Sequence, residues 1–396
     1  MRGHAAWNAW PWKLHRIEEK GNLRAVSTRQ RSDGGGRRQR DQCQTGRRHE
    51  GRTRSVSAVG LGQLVGSRLQ NVNLGELMLK AQNQWTRRNW IGTTTTGLAA
   101  AMVSTSRADD ENGKDRGWKV SLGLNGFESS GKKYGKTFPI WEVLDYAARA
   151  GFEGVELVQG WPQGDYPAAA EVNRVNALKR MYDQYGLQIF SIQTGAAAAF
   201  DPSQRVRNEW ISEMRGRIEF AKAIGCDCIG TWPFGPLRGQ TIDEAIHNLA
   251  ASFREVAKIA DNQGIVFAFE IEPPFQFNTE EHLKRILELA AEPRLKTIYD
   301  SSHFDLMNGS VGRPHEMLQR IGVQHIGYVH FTDCDGTLRD DGTSKHLAPG
   351  DGHIDIEASF KTLHEGGFRG WMMIDAWQIP DPYDACTKGI RAARQF

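Results

Sequence analysis

The chain has few cysteines, five in 396 residues (Cys43, Cys226, Cys228, Cys334 and Cys386), and no two are spaced C-x-x-C. That spacing argues against a zinc ribbon and against a scaffold held by disulfides. Ordinary buried or partly buried thiols are what remains, with Cys226 and Cys228 expected in or beside one strand with their side chains on one face. Long apolar runs are missing too, so no stable membrane span is expected. No Gly-x-Gly-x-x-Gly follows the first strand-like run, which removes the usual support for a doubly wound sheet, the runner-up architecture. Acidic residues are absent from 78–108, which hold four Lys/Arg, and scarce in 1–77, where 6 Asp/Glu face 15 Lys/Arg. Against a total of +3, these surpluses of four and nine leave −10 for residues 109–396. The basic character therefore belongs to the leader alone, and an acidic globular part is a poor partner for nucleic acid.

Residues 1–77 are rich in Arg, Gly, Gln and Ser, with Gly34-Gly35-Gly36 running into Arg37-Arg38-Gln39-Arg40 and no sustained apolar periodicity. A disordered basic leader, or an extension upstream of the true start, is the expectation. A nucleic-acid arm would call for interleaved aromatics or a binding fold beside the arginine run, and neither is there. Residues 78–108 open on Met78 and carry Thr86-Arg87-Arg88-Asn89-Trp90-Ile91-Gly92, an uncharged stretch from Thr93, and the small-residue exit Ser106-Arg107-Ala108. This resembles a twin-arginine export signal, which implies a periplasmic protein; with a fortuitous arginine pair the protein stays cytoplasmic.

From Trp118 onward the texture alternates. Strand-like runs fall at Lys119–Leu124, Gly154–Val158, Gln188–Gln193, Cys228–Trp232, Ile265–Glu270, Thr297–Asp300, Ile326–His330 and Met372–Asp375. Helical patterns lie between them, at Pro139–Ala150, Glu171–Tyr185, Arg205–Ile224, Ile242–Asn262, Thr279–Ala291, Arg313–Ile321 and Ile356–Glu365, and Pro382–Arg394 closes the chain. Several helices run into a glycine suited to the left-handed turn that ends a helix. Eight strands alternating with eight helices predict a single (β/α)₈ TIM barrel over residues 118–396.

In such a barrel the carboxyl ends of the strands all face one mouth, where chemistry is done. Four consecutive ends carry Glu270, Asp300, His330 and Asp375. Carboxylates with one imidazole suit a divalent cation, and Mn²⁺, Mg²⁺, Co²⁺ or Zn²⁺ would each be tolerated. Glu156 ends the second strand and is placed to steady a substrate hydroxyl or to pair with a Lys or Arg. Trp161 and Trp232 follow strand ends and could form an apolar wall, for a sugar face if the resemblance given below holds. His353 sits in the glycine-rich stretch Pro349-Gly350-Asp351-Gly352, either facing solvent or as a further ligand. Lys345 and His346 occupy a polar loop positioned to close over a substrate.

Several motifs in order, Gly154-Val155-Glu156-Leu157, Phe267-Ala268-Phe269-Glu270, Asp300-Ser301-Ser302-His303, Val329-His330-Phe331-Thr332-Asp333 and Pro349-Gly350-Asp351-Gly352-His353-Ile354-Asp355, carry a family resemblance. From Trp118 to the C-terminus the chain resembles the sugar phosphate isomerase/epimerase superfamily, the xylose isomerase-like barrels. The resemblance implies that Glu270, Asp300, His330 and Asp375 bind the metal, with Asp375 standing where relatives usually place Glu. It also implies that His303 contacts substrate and that Glu270 and Asp375 exchange a proton beside a metal-polarised carbonyl. Ketose 3-epimerases have a Glu six residues after the first metal Glu and an Arg six after the metal His. Here Gln276 and Gly336 stand there, and the pair His330 and Asp333 is closer to the inosose dehydratase and general isomerase branches; Asp333, Trp232 and His353 are expected, with His303 and Glu156, among the residues that meet substrate. The implied activity is isomerisation or epimerisation of a keto sugar or cyclitol. An inosose-dehydratase-like lyase and a non-catalytic sugar-binding barrel are the alternatives. DNA cleavage is disfavoured, because the ends of strands two and three, Val158-Gln159-Gly160 and Gln193-Thr194-Gly195, carry no His. The sequence leaves the oligomeric state open, a homo-oligomer included. N-terminal sequencing of exported protein is expected to give a first residue near Asp109, and recovery of Met1 at the mature terminus would end the export reading.

Overall fold

A computed structural model describes residues 117–307 and 312–396. The basic leader and the Arg87-Arg88 signal lie outside the described residues. Eight parallel strands close into a barrel: β1 (Lys119–Gly123), β2 (Gly154–Leu157), β3 (Gln188–Gly195), β4 (Cys228–Trp232), β5 (Val266–Phe269), β6 (Leu295–Asp300), β7 (Ile326–Phe331) and β10 (Trp371–Ile374). The seam is made by β1 lying parallel to β10, with Lys119 opposite Trp371 and Leu122 opposite Ile374. Outside the strands run α2 (Ile140–Ala150), α3 (Val172–Asp183), α4 (Gln204–Ile224), α5 (Ile242–Asp261), α6 (Glu280–Ala290), α8 (Pro314–Ile321), α9 (Ile356–Glu365) and α10 (Pro382–Gln395). No described helix is long and apolar enough to cross a membrane.

The expected elements form for local reasons. Short, nearly uninterrupted apolar runs such as Trp371-Met372-Met373-Ile374 are buried on both faces, as strands between a barrel interior and a helical coat must be. The start of α5 is fixed by a capping box, in which the Thr241 hydroxyl accepts from Glu244 N and the Glu244 carboxylate accepts from Thr241 N. The end of α2 is fixed by Gly151, whose φ of 83° would strain any side chain.

Four elements were hidden from the sequence. Helix α1 (Leu124–Tyr134) follows β1 directly, its pattern masked by Gly and Ser. Helix α7 (Ser301–Met307) begins at the end of β6, and β8 (Asp333–Leu338) pairs with β9 (Ser344–Leu347) as an antiparallel hairpin over the mouth. The one-face expectation for Cys226 and Cys228 is corrected. Cys226 N still bonds Ala221 O in the turn ending α4, so the strand alternation has not begun; Cys226 packs in the outer core and Cys228 inside the barrel.

The barrel interior is layered. Its floor is an apolar plug of Phe190, Cys228, Ala268, Ile298, Tyr328, Trp371 and Met373, in which Phe190 and Trp371 stack at 4.8 Å. Tyr328 carries the plug upward and turns its hydroxyl to Ser191 Oγ at 3.4 Å, where the lining becomes polar. Gly230 makes this possible, since a Cβ there would lie 1.9 Å from Tyr328 Oη and 2.7 Å from Gln193 Oε1. Gly230→Ala is therefore expected to lose about 1–3 kcal/mol through overpacking, read as a lower urea midpoint with an unchanged slope; an unchanged midpoint would refute this account of the layer.

Candidate metal centre

The centre is built on His330, at the end of β7, because its ring is gripped at both nitrogens. Nδ1 lies 2.9 Å from Glu270 Oε1 and Nε2 lies 3.1 Å from Glu156 Oε1. Burial alone would depress this imidazole; the carboxylates of Glu270 and Glu156 overcome it and hold its pKa well above the usual range. Gln193 Nε2 approaches the same ring at 3.3 Å. Glu270, just beyond β5, has its other oxygen held by Trp232 Nε1 at 2.8 Å. Trp232 thus orients a carboxylate, where a sugar-facing wall was expected. Glu156 is the strand-two acid the sequence placed near a hydroxyl or a Lys; its partner is His330.

Asp300 is held differently. Its Oδ1 accepts from Ser302 N, Ser302 Oγ and His303 N, at 2.7–2.9 Å, and so starts helix α7. Its Oδ2 is buried with no partner, as is Glu156 Oε2. Glu270, Asp300 and His330 each offer a ligand atom within 4.8 Å of the others. Asp375 stands beside this trio rather than in it. Its Oδ1 accepts from Trp377 N at 2.9 Å and from Asn125 Nδ2 at 3.3 Å, and its Oδ2 lies 4.0 Å from His346 Nδ1. A carboxylate one methylene shorter than Glu reaches less far from the end of β10. Burial pushes Asp375 up to about 7, with Asp300 and Glu270 adding to the rise and His330 opposing it.

A divalent cation fits these residues. Glu156, Glu270, Asp300 and Asp375 are all at most 4% exposed, and among the described residues none of them is paired with a Lys or Arg. Buried carboxylates in this number call for compensating positive charge, and the orphaned Asp300 Oδ2 is an oxygen donor left open for it.

A second group sits under the hairpin. His303 Nδ1 is 2.8 Å from Ser344 Oγ, and its Nε2 is 3.8 Å from Glu272 Oε2. Burial lowers the His303 pKa, but Asp300 and Glu272 outweigh it and raise it overall. Glu272 is pushed by burial to about 7, with His303 pulling it down and Glu270 pushing it up. His346 from β9 is buried with neither ring nitrogen partnered, and burial presses it down to about 3, which keeps it neutral. Asp300, His303 and His346 also bring ligand atoms within 4.8 Å of one another. The sequence flagged His346 only as part of a polar loop, because nothing local says that the loop is a hairpin folded inward. Asn125 it passed over, and Glu272, the second of the two carboxylates that end the fifth strand-like run, it left without a role.

Two of the expected substrate-facing residues are turned elsewhere. Asp333 spends both oxygens on backbone: Oδ1 accepts from Cys334 N and Ile354 N, Oδ2 from Gly350 N and Gly352 N, all at 2.8–3.1 Å. Gly352 has to be glycine for this, since a Cβ would meet the carboxylate at 2.2 Å. Asp333 therefore ties the glycine-rich loop to β8 instead of meeting substrate. His353 meets Asp305 Oδ2 through Nε2 at 2.7 Å, with its side chain 31% exposed, as the loop position allowed.

A proton on His330 competes with a cation, so in this site affinity for a divalent ion is expected to keep rising with pH beyond the ordinary imidazole range, by roughly tenfold per pH unit. Titration of chelator-treated protein between mildly acidic and mildly alkaline pH measures this, and a flat affinity would show that His330 does not ligate. Trp232→Phe removes the hydrogen bond that orients Glu270, and is expected to weaken binding about 10- to 100-fold, with little change in thermal midpoint.

Comparison with known proteins places this geometry. A family model described as xylose isomerase-like TIM barrel matches residues 144–395. Inosose dehydratase of Yersinia enterocolitica is 25% identical over 287 residues, covering 66% of this chain and 91% of that protein, and inosose dehydratase of Serratia proteamaculans is 25% identical over 283 residues, with the same coverage. Among solved structures, the IolI protein with a binding zinc atom aligns with a TM-score of 0.54 at 18% identity, covering 69% of this chain and 96% of that one. D-psicose 3-epimerase from Clostridium cellulolyticum H10 aligns at 0.53 and 16% identity, covering 70% and 96%. With a closed barrel of eight parallel strands and a family match over most of the barrel, the chain belongs to the xylose isomerase-like TIM barrel family.

Proposed function

We propose that this chain is a divalent-metal-dependent enzyme that removes the proton beside the carbonyl of a keto sugar or cyclitol and returns it as an isomerase or epimerase. The observation that carries the reading is the ring of buried carboxylates about His330 with no Lys or Arg partner among the described residues. Glu270, Asp300 and His330 would hold the ion, with Asp375 beside them. When bound, the ion would polarise a carbonyl oxygen and offset the negative charge that develops as the neighbouring proton leaves. The zinc named in the IolI structure and the epimerases among the structural relatives support this class of chemistry.

The proton work falls to the chain's own carboxylates. Glu270 is held by Trp232 and His330, so its orientation is set before substrate arrives. Asp375, held by Asn125 and the Trp377 backbone, has Oδ2 free to face a substrate from the β10 side. One acid taking the proton and the other returning it to the opposite face gives epimerisation.

A second reading, dehydration of an inosose-type cyclitol, is favoured by His346. This buried, neutral imidazole with both nitrogens unpartnered can donate an N–H hydrogen bond to a departing β-hydroxyl, which leaves as water with the proton taken from beside the carbonyl. The absence of the 3-epimerase residues at Gln276 and Gly336 and the inosose dehydratase relatives support it.

Incubation of metal-loaded protein with a panel of ketoses and inososes in deuterium oxide tests both. Wash-in of deuterium beside the carbonyl is expected, falling about 10²–10⁴-fold in Glu270→Gln. Asp375→Asn is expected to retain exchange but lose the epimer. Dehydration would instead produce a conjugated enone absorbing in the ultraviolet, slowed in His346→Gln. Sugar binding without exchange or enone would reduce the protein to a binding barrel and overturn the proposal.

A further inference from the structure

Behind the mouth, three side chains that the proposed chemistry does not use converge from three separate segments. Asp305 lies on α7, Cys334 on β8, and His353 follows the glycine-rich loop. Asp305 Oδ2 is 2.7 Å from His353 Nε2 and 3.1 Å from Cys334 Sγ, and Sγ and Nε2 are 3.8 Å apart. Asp305 and Cys334 are fully buried, while the His353 side chain is 31% exposed. No Lys or Arg among the described residues pairs with Asp305, whose other oxygen accepts from Gly312 N.

We propose that Asp305, Cys334 and His353 form a second metal site, separate from the mouth, that takes one Zn²⁺ or a similar thiophilic divalent ion. Donor type argues for such an ion. One sulfur, one imidazole nitrogen and one carboxylate oxygen make a set that zinc accepts and that magnesium and calcium, which prefer oxygen, do not. Geometry agrees: metal–ligand lengths of about 2.0–2.3 Å put the donors of a tetrahedral ion about 3.3–3.5 Å apart, and the separations of 2.7, 3.1 and 3.8 Å bracket that. Charge agrees as well, since a thiolate, a carboxylate and a neutral imidazole leave a dication electrically balanced in a buried place. Without metal, the Cys334 thiol donates to Asp305; loading replaces that proton, which is released to solvent. The exposed edge of His353 leaves the fourth position to water.

The ion would act as a clamp. Helix α7 begins at Asp300 and carries His303, and β8 and the glycine-rich loop are already joined through Asp333. Tying Asp305 to Cys334 and His353 locks the helix that Asp300 caps to the hairpin that holds His346.

The full chain, stripped with chelator and titrated with Co²⁺, tests this. A thiolate-to-cobalt charge-transfer band in the near ultraviolet is expected, because the centre at the mouth contains no sulfur and cannot produce one. Cys334→Ser should lose the band and one equivalent of Co²⁺. Asp300→Asn, which disables the mouth, should keep the band, so the two sites fail independently. Should Cys334→Ser not fold, His353→Gln at the part-exposed position is expected to weaken the band-forming equivalent by roughly tenfold or more. A folded wild-type chain with no thiolate band, or a band that survives intact in Cys334→Ser or His353→Gln, overturns the proposal.

Discussion

Four carboxylates brought into a space that water scarcely reaches are the constraint on which this molecule turns. Glu156, Glu270, Asp300 and Asp375 call for positive charge there, and the described residues supply it as two imidazoles, His330 held between Glu270 and Glu156, and His303 beside Asp300. Two imidazoles do not balance four acids. The consequences are visible in the raised pKa of Asp375 and in the unpartnered oxygens of Asp300 and Glu156. A site of this kind costs folding free energy and is understandable where a cation and a substrate relieve the cost.

The barrel makes such a site tolerable by separating it from its apolar support. Phe190, Trp371 and Tyr328 fill the lower interior, and the polar layer begins only where Tyr328 meets Ser191. The backbone directions of the strands then aim Glu156, Glu270, Asp300, His330 and Asp375 at one region from five different strand ends. Side chains outside that ring fix the ring: Trp232 on Glu270, Asn125 on Asp375, and the first turn of α7 on Asp300. The hairpin of β8 and β9 closes over one side, bringing His346 to the mouth while Ser344 steadies His303.

The same loops carry the other cluster. Asp333 and Gly352 bind the glycine-rich segment to β8 through backbone donors, and this is what delivers His353 to Cys334 and Asp305. The rim is thus organised by polar contacts of its own, independent of the acids that do the proposed chemistry.

Much of this was legible in the sequence, because strand and helix periodicity, helix-ending glycines and an acid or His at a strand end are local properties. The eight strands and eight helices expected from periodicity are present, and the mouth-facing position of Glu270, Asp300, His330 and Asp375 follows from their place after an apolar run. Partner choice is not local. That Glu156 meets His330 across 174 positions of sequence, that Trp232 meets Glu270, that Asp333 and His353 turn away from the mouth, and that His346 enters it were decided by barrel closure and by the fold of one hairpin. The sequence determined which groups stand at the ends of the strands. Tertiary structure decided which of them touch, because a side chain's partner depends on register and loop geometry set by residues far away in the chain.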